Sequence, residues 1–412
     1  MKLSLLIVTA ALLAAPLAKA DIAVDWNEHA NAAMAADSSA VSGNPVAMAR
    51  TLAMMHVAMF DAIDACHPTY RHYLPDLAPS PGASPQAAAH SAAHAVLVAL
   101  YPHQKDSFDR WYAGAMAALA TDTGTAAGVA LGEQVAAMMV KARQDDGTFG
   151  VPDSYRPHTS PGAYVPTVLP VVSNVAARKP FALQNIAQFR PGPPPALGSA
   201  TWASDFNETR EWGAANSRRR TPRQTETARF WEQLGTPAWN QIARALAAHR
   251  AMPLAERARV FAQLNMAMFD AYLAVFEAKY HYNFWRPVTA IRNGDQDGND
   301  ATERDPTWRP LIDTPPHPEY PCAHCAADGA AGTVLKHAYG DGPVTPFTVT
   351  FTTMPNVTRD YTRVQAVQEE VSLARIWGGV HFRNSNRTGD VLGERIGEYV
   401  LQRTLTGTAS KP

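Results

Sequence analysis

Apolar residues recur along most of this chain at the three-to-four-residue spacing of packed helices, with little of the alternation that marks half-buried strands. The densest stretch, PVAMARTLAMMHVAMFDAIDA at residues 45–65, is Ala- and Met-rich, has no Gly or Pro after its first residue and is apolar on more than one face. It predicts a buried helix that ends at His67-Pro68. Further helices are predicted over residues 84–100, 104–120 and 123–145, the last with Leu131, Val135, Met138 and Met139 as its apolar stripe. Ahead of these, residues 21–46 read as an extended entry segment.

Residues 146–202 break the pattern. PGAYVPTVLPVV and FRPGPPPALG are rich in Pro and Gly, which predicts a long irregular arm anchored by Tyr164, Phe181, Phe189 and Trp202. Helices return over 204–214, 222–234, 238–249 and 255–284; the second of these has Thr221 as N-cap, Pro222 at the first position and Gln224 completing a capping box. TPFTVTFTT at 345–353 is the one strand-like run and predicts a short hairpin. Asp360 then opens a helix whose Val364, Val367 and Val371 point inward, and a last helix covers 387–405. Ala58-Met59-Phe60-Asp61-Ala62 is repeated as Ala267-Met268-Phe269-Asp270-Ala271, which suggests two related halves. The fold class is therefore all-α: two fused helical bundles, residues 21–145 and 203–412, with a Pro-rich connection at 146–202 and a minor β-hairpin.

The amino terminus changes the picture. Lys2, an apolar run from Leu3 to Leu13 and Ala18-Lys19-Ala20 predict a cleavable signal peptide over residues 1–20, hence a protein exported to the periplasm or beyond. No later run reaches the roughly 18 uninterrupted apolar residues of a membrane-spanning helix. The net charge of −1, which becomes −3 without Lys2 and Lys19, excludes a generally basic nucleic-acid binder, and SRRRTPRQ around Arg218–Arg220 reads as a solvated helix approach. NGDQDGND lacks the register of a calcium loop. Cys322 and Cys325 have C-x-x-C spacing, read as a local structural disulfide rather than a redox centre because no βαβ pattern surrounds them.

Three short motifs carry chemistry: KYHYNFWRP (Lys279 to Pro287), PCAHC (Pro321 to Cys325) and RIWGGVHF (Arg375 to Phe382). Lys279, Arg286 and Arg375 provide permanently positive donors for a tetrahedral oxyanion. The arginines can fork onto two oxygens and the lysine can act as a point charge. A helix starting near Cys322 would add free backbone N–H groups at Ala323 and the positive end of its dipole. In order and spacing the three motifs resemble the vanadium-dependent haloperoxidase and type 2 phosphatidic acid phosphatase superfamily, over about residues 203–403.

The resemblance implies a cofactor-binding set of Lys279, Arg286, Cys322, Ala323, Arg375 and His381. It makes His381 the residue bonded to the metal of vanadate, or the phosphorylated nucleophile in a phosphatase, and His324 the general acid or base. Lys279 would draw electron density from bound peroxide. Hydrogen peroxide and a halide would be the substrates, with a small phosphate ester as the alternative and phosphate as a competitor; a homo-oligomer stays open. His317, seven residues before His324, resembles the brominating members, and Trp285 and Phe276 would flank the pocket.

Three departures bear on these roles. Cys322 and Ala323 stand where the family has Ser and Gly, Ala374 precedes Arg375 in place of Ser, and Ser385 stands where phosphatases have an Asp that orients the nucleophile. Ser385 is read as the N-cap of the last helix, and the missing Asp favours a haloperoxidase over an acid phosphatase. A third reading is a catalytically impaired oxyanion-binding protein.

Overall fold

A computed structural model describes residues 21–37, 44–148, 155–233 and 235–408. The expected signal peptide lies outside them. Among the described residues the first half consists of α1 (Ile22–Ala36), α2 (Pro45–Cys66), α3 (Pro85–Leu100), α4 (Lys105–Ala117) and α5 (Thr125–Ala142). The second half consists of α6 (Ala200–Trp212), α7 (Pro222–Phe230), α8 (Gly235–Ala248), α9 (Leu254–Tyr282), α10 (Pro287–Arg292), α11 (Ala323–Tyr339), α12 (Val364–Trp377) and α13 (Arg383–Arg403). One antiparallel hairpin, β1 (Phe347–Thr350) with β2 (Thr358–Tyr361), precedes α12 and pairs Phe347 with Tyr361.

The predicted all-α class holds, with four local corrections. Residues 22–36 are helical rather than extended, because the Asp21 carboxylate accepts the N–H groups of Ala23 and Val24 and caps an Ala-rich run. Asp360 lies in β2, where its Oδ1 accepts the Thr348 hydroxyl across the hairpin, so α12 starts after Arg363. The last helix starts at Arg383, and the short α10 follows the first motif. The capping box at Thr221 and Gln224 is present.

One hydrophobic core runs through both halves, with α2 packed along α9 at its centre. By length and composition α2 could cross a membrane, but here it is wholly buried in protein. The repeated AMFDA sequence is a repeated structural device. Asp61 on α2 accepts the N–H groups of Tyr73 and Leu74, both at 2.9 Å, and Asp270 on α9 accepts those of Phe181, Ala182 and Leu183 at 2.7–2.9 Å. Each buried carboxylate ties an irregular segment to its central helix and satisfies amides that could not otherwise be buried cheaply.

Small residues set the other seam that matters for the site. A Cβ on Gly329 of α11 would meet the Asp390 carbonyl oxygen at 2.3 Å, and one on Gly393 would meet that of Ala326 at 2.0 Å, so α13 closes on α11 backbone to backbone. This contact holds the second motif against the segment that follows the third.

Candidate functional site

Each motif occupies a turn at the end of a helix. α9 is closed by Asn283, whose left-handed backbone (φ 47°) and N–H bond to the Lys279 carbonyl turn the chain sharply enough to bring Arg286 back toward Lys279. The arm braces this turn, because Tyr164 N–H donates to the Asn283 carbonyl at 2.8 Å and Trp285 N–H to that of Gly162 at 2.9 Å. Cys322 caps α11. After α12 the chain bends at Gly379 (φ 76°), where a Cβ would meet the Gly213 carbonyl oxygen at 2.5 Å, and this bend delivers His381 six residues beyond Arg375.

The turns converge on a cavity of about 460 Å³. Ala323, His324, Arg375, His381 and His317 line its polar end, while Val171, Val172, Phe276, Ile312 and Pro316 supply apolar wall. The arm thus forms part of the site. His324 and His381 face the same space. Lys279 and Arg286 stand behind the wall, and neither is diverted into an unrelated ion pair. Lys279 Nζ donates to the carbonyls of Pro318 (3.0 Å) and Glu319 (2.8 Å). Arg286 donates to the carbonyls of His317 and Val380, both at 2.8 Å, and meets His381 Nε2 at 3.2 Å and His317 Nδ1 at 2.9 Å. Phe276 packs edge-on to His317, but Trp285 turns away to stack on Trp202 in a separate aromatic cluster.

The tautomer of His381 follows from its neighbours. A guanidinium can only donate, so the contact with Arg286 requires a lone pair on Nε2 and puts the ring proton on Nδ1. Nδ1 then donates to Glu319 Oε1 at 2.8 Å. Glu319 Oε1 also accepts the Phe382 N–H at 3.1 Å, whereas Oε2 has no partner. Burial, reinforced by Arg286 and Lys279, holds the His381 imidazole well below its usual pKa; burial pushes Glu319 up to about 7 against the pull of those same cations. The pair is therefore a hydrogen bond to a neutral imidazole, although its spacing would also suit an ion pair.

Glu319 was not among the residues singled out from the sequence. It is the only acid within HPEYPCAHC and the two other motifs, and that isolation was the available signal. It fills the orienting role for which the sequence offered only Ser385. Ser385 is not the N-cap of α13, which is Phe382; its hydroxyl lies 3.5 Å from His381 Nδ1 and from the Glu319 carbonyl. The Cys322–Cys325 disulfide is also corrected: both are free thiols, and Cys322 Sγ instead accepts the Cys325 N–H at 3.3 Å.

The second histidine is fixed as well. His324 Nε2 donates to the Gln233 carbonyl at 3.1 Å, and burial followed by the field of Arg375 keeps the ring neutral. Burial and then Arg286 likewise hold Lys279 well below its usual pKa.

These surroundings fit an oxyanion. Lys279, Arg286 and Arg375 are buried together, Arg375 Nε–H has no partner among the described residues, and Ala323 brings the amide-rich first turn of α11 to the cavity wall, although Glu232 and Asp313 also line the cavity. The description "VCPO second helical-bundle domain" matches residues 259–407, which contain all three motifs. The vanadium chloroperoxidase of Curvularia inaequalis is 31% identical over 152 residues, a match that spans 31% of this chain and about a quarter (24%) of that protein.

Residues 259–407 are thus similar to the second helical-bundle domain of vanadium chloroperoxidases. The likeness of fold extends well beyond the matched segment. The first bacterial vanadium-dependent iodoperoxidase superposes with a TM-score of 0.77 at 23% identity, covering 96% of this chain and 98% of that one. The apo-type bacterial vanadium-dependent chloroperoxidase does so with a TM-score of 0.72 at 17% identity, covering 87% and 92%.

Proposed function

We propose that this protein is an exported vanadium-dependent haloperoxidase that oxidises a halide, bromide in particular, with hydrogen peroxide. The observation that carries the proposal is the fixed protonation of His381, with Nδ1–H donated to Glu319 and an unprotonated Nε2 that accepts from Arg286 in a ring lining the oxyanion cavity. Such an imidazole is a metal ligand held in one tautomer by an outer carboxylate. Vanadate, when bound, would supply Lewis-acid activation of peroxide with no change in metal oxidation state.

The protein's own groups do the rest. His381 Nε2 would exchange its contact with Arg286 for the central atom, while Arg286 and Arg375 would hold oxygens with charge-assisted hydrogen bonds. Lys279, fixed between two carbonyls, adds positive potential from behind the wall. His324, neutral and anchored through Nε2, keeps Nδ1 free to accept a proton from peroxide. His317, held by Arg286 beside Phe276, borders the space a halide would enter, and a histidine at this position resembles the brominating members.

The test is bromination of a phenol dye by peroxide, with and without added vanadate, run beside p-nitrophenyl phosphate hydrolysis. Vanadate-dependent bromination is expected. Vanadate-inhibited phosphate release would instead make the chain an acid phosphatase, and neither activity with tight phosphate binding would make it an oxyanion-binding protein.

A further inference from the structure

The reaction proposed above asks nothing of a thiol, yet two thiols lie at its floor. Cys322 is the N-cap of α11 and Cys325 stands three residues on in its first turn; both are free and wholly buried. The Cys325 N–H already points at Cys322 Sγ. An N-cap residue and the third helical residue have Cα atoms about 5–6 Å apart, within the span a disulfide bridges, so the two sulfurs can join by side-chain rotation alone.

Their surroundings also differ. Burial pushes the Cys322 thiol up, but the Cys325 thiol and the Arg375 guanidinium outweigh it and leave Cys322 below the ordinary thiol value, whereas burial and then Cys322 itself push Cys325 well above it. One sulfur is suited to attack and the other to resolve. Ala323 and His324, the two residues between them, line the cavity with Arg375, so each thiol stands one residue along the chain from the cavity wall.

We propose that Cys322 and Cys325 form a modification site for hydrogen peroxide, a dithiol that closes reversibly to a disulfide beneath the oxyanion cavity. The Cys322 sulfur attacks one peroxide oxygen and the O–O bond breaks. Cys322 becomes a sulfenic acid, and the departing hydroxide leaves as water with the thiol proton. The Cys325 sulfur then attacks the Cys322 sulfur; the S–S bond forms, the S–O bond breaks, and the hydroxyl leaves as water with the Cys325 proton. Two thiols are oxidised by two electrons and one peroxide is reduced to two waters. Neither vanadate nor halide takes part, so the site stands or falls separately from the haloperoxidase reaction.

The experiment treats the reduced full chain with hydrogen peroxide in the absence of vanadate and halide. The protein is then denatured, its remaining thiols are alkylated, and the peptides are weighed. The third cysteine, Cys66, lies on α2 with its thiol directed to the Ala62 carbonyl and serves as an internal control. The expected result is a fall from three alkylated cysteines to one, with the peptide containing residues 322 and 325 lighter by two hydrogens and restored by dithiothreitol. In C325S the reaction should stop at the sulfenic acid, trapped by dimedone on Cys322, and in C322S no cysteine should be lost. Three alkylated cysteines after treatment of the wild type, a disulfide involving Cys66 or a second chain, or wild-type Cys322 passing directly to the sulfinic acid would overturn the proposal. So would C325S that retains its helical circular dichroism and takes no dimedone.

Discussion

His381 Nδ1 and Glu319 Oε1 are 2.8 Å apart, and this bond joins the third motif to the second across 62 residues of sequence. It sets which imidazole nitrogen faces the cavity. Glu319 does not line the cavity and His381 does, so on the proposed function Glu319 is a positioning residue whose effect passes through His381.

Replacing Glu319 separates that role from packing. E319Q keeps an acceptor for Nδ1–H but loses the carboxylate's influence on the ring, and it should weaken vanadate binding by about 10–100-fold, the usual effect of removing an outer partner of a metal-bound histidine. E319A leaves the Nδ1–H and Phe382 N–H groups without an acceptor and should be worse. Equilibrium dialysis against vanadate reads the difference. Wild-type affinity in a folded E319A protein would show that the pair is only packing.

Among the described residues Arg375 has one hydrogen-bond partner, the Trp231 carbonyl at 3.1 Å, and an unpartnered Nε–H. Since hydrogen bonds to charged groups contribute about 1.5–3 kcal/mol, R375A should raise the vanadate dissociation constant by roughly 10–100-fold. R375K should recover little of that loss, because a lysine offers no fork. Titration of each variant with vanadate checks both statements.

The anchoring carboxylates can be tested by stability. D270A leaves the buried N–H groups of Phe181, Ala182 and Leu183 without their acceptor. At about 1–3 kcal/mol for each unsatisfied buried group, partly relieved by water, the loss should be about 3–5 kcal/mol. The arm should also become open to protease. A denaturant midpoint and a limited digest read the two effects, and an unchanged midpoint would remove Asp270 from the account of how the arm is held.

Outside the site, burial lowers the His90 pKa to about 4, and the Trp26 indole N–H donates to its Nδ1 at 2.8 Å, so protonation there breaks a buried bond. The folded pKa lies below the unfolded value of about 6.5, so the stability His90 contributes is present above pH 6.5 and is lost as the pH falls toward 4. A depression of that size corresponds to about 3 kcal/mol. In H90Q the fall in stability between pH 6.5 and 4 should be smaller than in the wild type by an amount on that order, measured by urea unfolding at each pH. Parallel pH profiles would contradict the assignment.

Much of this architecture was legible in the sequence because its signals were local. The apolar run of α2, the Thr221 capping box, the Pro-rich arm and the three spaced motifs each announce themselves within a few residues. α1 did not, because its Ala-rich run carries little amphipathic contrast and follows directly on the segment set aside as a signal peptide. Asp360 resembled a helix start until the hairpin register placed it in a strand. The role of Glu319 depends on a partner 62 residues away and on a helix bend at Gly379, and the cysteines could be read as bonded only while their common cap geometry was unknown.

The central claim is that an oxyanion is held on His381 within this cavity, and vanadate binding to the wild type and to H381A tests it most directly. One vanadate per chain should bind the wild type, and binding should be lost or weakened at least 100-fold in H381A with its helical signal intact. Equal vanadate binding by the two proteins would contradict the account.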